Sequence, residues 1–103
     1  MIIQINTDKN IEGNERFTSY FTSLIEEELG RYDKLTRLEV HLSDVNGSKE
    51  GQDDKRCVIE ARLEGKPSMA VKNMAATHEQ AVDGAIDKLK ASLDTILGKM
   101  KNH

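Results

Sequence analysis

Residues 53–71 read DDKRCVIEARLEGKPSMAV, and how this stretch is read decides the fold. Cys57, Ile59, Ala61 and Leu63 form one row; Arg56, Val58, Glu60, Arg62 and Glu64 form the other. A period of two with one apolar row is the pattern of a half-buried β-strand, here over roughly 55–64. "EGKP" then makes a tight connection, with Gly65 free to take a positive φ. A further strand follows over about 67–75. Pro67 at its start is tolerated because a first residue or an edge can lose its N–H. The stretch holds the only cysteine and the only proline of the chain, so it could carry chemistry as well as structure.

Working outward, "IIQIN" (2–6) is a short β-rich run and reads as a first strand. "TDKNIEG" (7–13) reads as a turn region. Asn14 is an N-cap candidate, with Glu15 in the first turn where it complements the helix dipole. Phe17, Tyr20, Phe21, Leu24, Ile25, Leu29 and Tyr32 recur at three- and four-residue steps, one apolar face of a helix. Gly30 marks its end or a weak point, and the Leu29-to-Tyr32 step predicts fraying there. "TRLEVHLSD" (36–44) alternates again: Leu38, Val40 and Leu42 against Arg37, Glu39, His41 and Ser43. "VNGSKEGQDD" (45–54) is polar and reads as a flexible loop. "THEQ" from Thr77 forms a capping box. Val82, Ile86, Leu89, Leu93, Ile96, Leu97 and Met100 place a last helix over about 78–100.

The order is β-α-β-β-β-α. Two amphipathic helices and four one-sided strands are satisfied together by an α+β two-layer sandwich. It would have a four-stranded sheet with two helices on one face, and water on the other. If the first two strands pair in parallel, the crossover through the first helix should be right-handed. At 103 residues the expectation is one domain over 1–103.

No run approaches the ~20 apolar residues needed to span a bilayer, and "MIIQINTDKN" lacks the basic and apolar regions of a signal peptide. One cysteine cannot form an internal disulfide, so a reducing cytoplasm is the expected compartment. Residues 1–54 hold 6 Lys/Arg and 12 Asp/Glu, net −6; residues 55–75 hold 5 and 2, net +3; residues 76–103 hold 4 and 4, net 0. A chain of this balance is a poor candidate for tight, non-specific nucleic-acid binding, but a local basic patch remains open in its second half.

No enzyme class is indicated. Cys57 shares its row with apolar residues and reads as a small buried hydrophobe; a catalytic thiolate would need a histidine or a helix N-terminus in reach. His41 lies on the opposite row of its strand, His78 begins a helix, and His103 is remote in sequence. No spacing of the form H-x-x-x-H or C-x-x-C suggests a metal, the acidic loop lacks the EF-hand order, and no glycine-rich phosphate loop occurs. Glu26, Glu27 and Glu28 read as an exposed charged face. A binding role is left. Lys55, Arg56, Arg62, Lys66 and Lys72 gather around the third and fourth strands, and Lys88, Lys90, Lys99 and Lys101 lie on the last helix. None of the four aromatic residues falls in a predicted strand, so any RNA contact should be to phosphate and shape rather than by base stacking.

The string "DKRCVIEARLEGKPSMAVKNMAATHEQAVDGAIDKLKASLDTILGKM" (54–100) resembles the ribosome hibernation-promoting factor and ribosome-associated inhibitor family, also called the sigma-54 modulation family. "THEQAVDGAIDKLKASL" is its most telling part. "MIIQIN", the aromatic-rich first helix and "LEVHLSD" match more loosely, so the likeness covers nearly the whole chain. It implies a β-α-β-β-β-α fold similar to double-stranded RNA-binding domains. It also implies binding to the small ribosomal subunit in the decoding region, with translation inhibited during stress or stationary phase. No cofactor is implied.

In such proteins basic helix residues contact ribosomal RNA. The matching positions here are Lys88 and Lys90, with Lys99 and Lys101 toward the end. Outside that match, Arg56 and Arg62 on the sheet are the fallback contacts if the last helix is too weakly basic. The chain departs from the pattern in carrying Glu26, Glu27 and Glu28 on its first helix and Ala91, Ser92 and Asp94 where basic residues are common. It also ends at His103, without the long extension that lets some members pair ribosomes. The resemblance therefore implies a short form acting on single 70S particles or assisting pairing without tethering it. The alternative expectation is a protein-interaction module that keeps the fold and has lost the ribosome. A homodimer through an open sheet edge or face fits either.

Overall fold

The computed structural model describes residues 1–8, 14–45 and 53–101. Its elements are β1 (Ile2–Thr7), α1 (Glu15–Leu29), β2 (Leu35–Asp44), β3 (Lys55–Leu63), β4 (Met69–Ala75) and α2 (His78–Lys101). The sheet order is β1-β2-β3-β4. β1 runs parallel to β2, and the other two pairs are antiparallel. The parallel pair follows from the connection: α1 carries the chain back along the sheet, whereas the shorter links to β3 and β4 reverse it. The α+β order expected from the sequence is the observed one.

The alternating rows decide which face is dry. Leu38, Val40 and Leu42 of β2 and Cys57, Ile59, Ala61 and Leu63 of β3 are all buried. Against them pack Phe21, Ile25 and Leu29 of α1, and Ala81, Val82, Ala85, Ile86, Leu89 and Leu93 of α2. Each of the larger side chains gains about 1.5–3 kcal/mol on full burial. Ile3 and Ile5 of β1 and Met69 and Val71 of β4 close the flanks of this core. The opposite rows lie on the open face.

The helix ends form as their sequences dictate. Asn14 is extended, and its side chain accepts the Phe17 N–H at 2.8 Å. Of the predicted capping box, the bond from the Gln80 N–H to Thr77 Oγ1 is formed, at 3.1 Å. Gly65 has φ +73°, the positive value the β3–β4 turn requires.

Several local expectations are corrected. Tyr20 is not part of the buried stripe: it is 49% exposed, and its hydroxyl donates to Glu79. The helix stops at Leu29, and Tyr32 is buried from the following turn, its hydroxyl donating to Asp94 at 2.9 Å. β4 begins at Met69, so Pro67 precedes the strand. The acidic stretch before β3 ends in order: the Val45 N–H donates to the Asp54 carbonyl at 2.9 Å, and Asp54 is buried. The rest of that predicted loop, 46–52, and most of the predicted turn, 9–13, lie outside the described residues.

Candidate nucleic-acid interface

Two surfaces carry the basic residues, and the structure treats them differently. On the open sheet face β2 and β3 set Arg37 opposite Arg62, Glu39 opposite Glu60, and Ser43 opposite Arg56; β4 sets Lys72 opposite Val58. Arg56 Nε donates to Ser43 Oγ at 3.1 Å while the side chain stays exposed. Arg62 is exposed and has no ion-pair partner among the described residues. Arg37 donates to Gln4 Oε1 and approaches Glu39 at 3.4 Å. Arg56 and Arg62 sit about 20 Å apart along β3, at the usual strand rise. A shallow depression of about 310 Å³ opens between Arg37, Glu39, Glu60 and Arg62, bounded by Ser68.

On the helix layer the matching lysines are engaged. Lys90 Nζ lies 2.6 Å from Glu28 Oε1. Lys88 Nζ donates to the Lys72 carbonyl at 2.7 Å, across the outer edge of β4. Around them stand Glu26, Glu27, Glu79, Asp83, Asp87 and Asp94, all exposed. Asp83 is held above the usual carboxylate range, first by desolvation and then by Glu79, Asp87 and Glu28. The side chains of Lys99 and Lys101 lie outside the described residues. Lys90 thus ties α1 and α2 together.

Lys55 also leaves the basic group. It falls on the core-side row at the start of β3, with Nζ 2.9 Å from Asp44 Oδ2 and 3.0 Å from Asp54 Oδ1. Those two hydrogen bonds raise its pKa. Near this cluster the His78 ring is held below the usual histidine range by desolvation and by the Lys55 charge; Asp44, Asp8 and Asp54 oppose the shift. Cys57 is fully buried, and burial pushes its thiol up to about 12.

One grouping has no counterpart in the sequence motifs. Glu39, His41 and Glu60 bring one ligand atom each within 4.8 Å of one another on the open face. The Glu39-x-His41 spacing puts two of them on one row, but Glu60 joins only through the β2–β3 register. A search for local histidine or cysteine spacing misses a set built across two strands.

The family described as Sigma 54 modulation protein / S30EA ribosomal protein matches residues 3–101. The chain belongs to this family. The match spans all six elements of the S30EA chain, as the sequence resemblance did. Its fold is shared by the Thermus thermophilus Protein Y N-terminal domain, with a TM-score of 0.73 and 22% identity, covering 93% of this chain and 99% of that one. A ribosomal subunit interface protein from Coxiella burnetii gives a TM-score of 0.75 at 12% identity, covering 95% and 99%. A comparison with curated proteins gave no match. No helix among the described residues is long and apolar enough to cross a membrane.

Proposed function

We propose that this S30EA-family chain is a non-enzymatic, cytoplasmic protein that binds the small ribosomal subunit (30S) through its 16S rRNA and inhibits translation during stress or stationary phase. Family membership over residues 3–101 is the observation that carries this reading. The geometry adds where phosphate would be met. The exposed guanidinium groups of Arg56 and Arg62 suit phosphate oxygens on a face with no aromatic platform for bases. Lys88 and Lys90 are second in line, because Lys90 is paired with Glu28 and Lys88 is turned toward the β4 edge, whereas Arg56 keeps its two terminal nitrogens free of any ion pair among the described residues. Lys99 and Lys101 extend the same helix.

Co-sedimentation with purified 30S subunits tests this reading. Binding is expected at low salt and should fall steeply toward physiological salt, since each phosphate contact adds about 0.7–0.9 to the salt slope. A folded protein that stays in the supernatant at low salt would overturn it.

The acidic helix layer favours a second reading, a protein-interaction module that no longer needs the ribosome. Pull-downs that recover only ribosomal components would reject it. A homodimer through the sheet edge is compatible with either reading. β1 is the edge it would use, because Lys88 already occupies a carbonyl of the β4 edge. A concentration-independent monomer in light scattering would exclude it.

A further inference from the structure

The carboxylates of Glu39 and Glu60 stand directly opposite each other on the two central strands. Like charges so placed repel, and a sheet pays for them unless something cationic lies between. Arg37 reaches Glu39 at 3.4 Å, and His41 Nε2 reaches Glu60 Oε2 at 3.4 Å. Neither group bridges both carboxylates. The two carboxylates and the imidazole nevertheless present one donor atom each within 4.8 Å.

We propose that Glu39, His41 and Glu60 form a binding site for one divalent cation of borderline softness, zinc being the best fit. One imidazole nitrogen with two carboxylate oxygens is a donor set zinc accepts, at about 2.0–2.2 Å per bond. A tetrahedral ion with such bonds spaces its ligand atoms by about 3.4 Å. Turning the ends of two glutamate side chains closes the remaining gap without moving the strands. Three protein ligands leave the fourth position to water.

A second residue fits the role of an orienting partner. Asn6 of β1 is paired in register with His41, and its side-chain amide lies 3.5 Å from His41 Nδ1. The oxygen and nitrogen of an amide are interchangeable by a flip of the group. In the fold Asn6 Oδ1 accepts from Gln4 Nε2 at 3.2 Å; turned toward Nδ1 instead, that oxygen would give up this exposed contact, accept the Nδ1 proton and leave the Nε2 lone pair facing the carboxylates. Metal-bound histidines are commonly held in this way.

Locally, an ion between Glu39 and Glu60 would offset the repulsion of two carboxylates set opposite each other. The site does not depend on ribosome association and can be tested without ribosomes.

Calorimetric titration of the full chain with zinc chloride, in a buffer free of phosphate and chelators, tests the proposal. The wild type should bind one equivalent, and the His41 ring resonances should shift over the same titration. His41→Ala and Glu60→Gln should each weaken binding at least tenfold, while His78→Ala should leave it unchanged. All three positions can be checked for folding by circular dichroism. Absence of one-equivalent binding up to millimolar zinc overturns the proposal. So does binding of equal strength in wild type and the first two variants, or its loss on His78→Ala in a folded protein.

Discussion

Cys57 shows how one residue's surroundings set its chemistry. Its row places it among Ile59, Ala61 and Leu42, it is fully buried, and its thiol is pushed up to about 12 by desolvation alone. A thiolate is the reactive form, so the native protein should resist a disulfide reagent at pH 8 and react on unfolding; rapid stoichiometric labelling of the folded chain would contradict this placement. Cys57→Ser would bury a hydroxyl and should cost about 1–3 kcal/mol in urea denaturation. His78 gives the pH counterpart. Its ring is held below the ordinary histidine value of 6.5 in the fold, so the unfolded chain binds the proton more readily. Stability from this group is present above about pH 6.5 and is lost as the pH falls through the folded value. The urea midpoint should therefore be lower at pH 5.5 than at pH 7.5, and His78→Gln should shrink that difference; an undiminished difference in the variant would assign it elsewhere. Cys57 was legible from alternation. The His78 environment was not, because Lys55 and Asp44 reach it only once the start of β3 and the end of β2 are packed near the start of α2.

At the scale of elements, β4 and α2 are joined through a polar residue on the core-side row. Asn73 stands opposite Cys57, and its amide donates to the carbonyls of Gln80 and Ala81 at 3.4 and 3.2 Å. This places its side chain over Gly84, where a Cβ would come within 2.0 Å of Asn73 Nδ2. Gly84→Ala should therefore destabilise by about 1–3 kcal/mol despite alanine's better helix propensity. Gly98→Ala, with nothing within 4 Å, should instead gain about 0.5 kcal/mol. An Asn73→Ala background should remove most of the Gly84 penalty. Chemical denaturation of the four variants checks this, and equal effects at the two glycines would refute the contact. The periodicity of 53–71 was enough to place β3 and the turn at Gly65, because a period of two leaves little choice of face. The glycine–asparagine contact was not legible, since it joins residues on different elements with no shared period.

Across the whole molecule the charges separate by layer. The helices present carboxylates and hold Lys88 and Lys90 in contacts. The sheet presents Arg37, Arg56, Arg62 and Lys72 around two glutamates. Sequence alone pointed to the same basic residues, but it could not see that Lys90 would find Glu28 or that Lys55 would be taken by Asp44 and Asp54. Those partners come from other elements, and only the packed fold reveals which cations remain available. The fold itself was legible throughout, because every strand and helix carries one apolar row and the two layers have one way to cover them. Ribosome association through the sheet-face arginines can be checked by 30S co-sedimentation of two folded variants across a salt series. Arg56→Glu with Arg62→Glu should weaken binding at least tenfold and lower the salt slope by about 1.4–1.8, while Lys88→Glu with Lys90→Glu should have the smaller effect. Wild-type binding by the arginine variant, with loss in the lysine variant, would rule out the sheet-face contact and return it to α2.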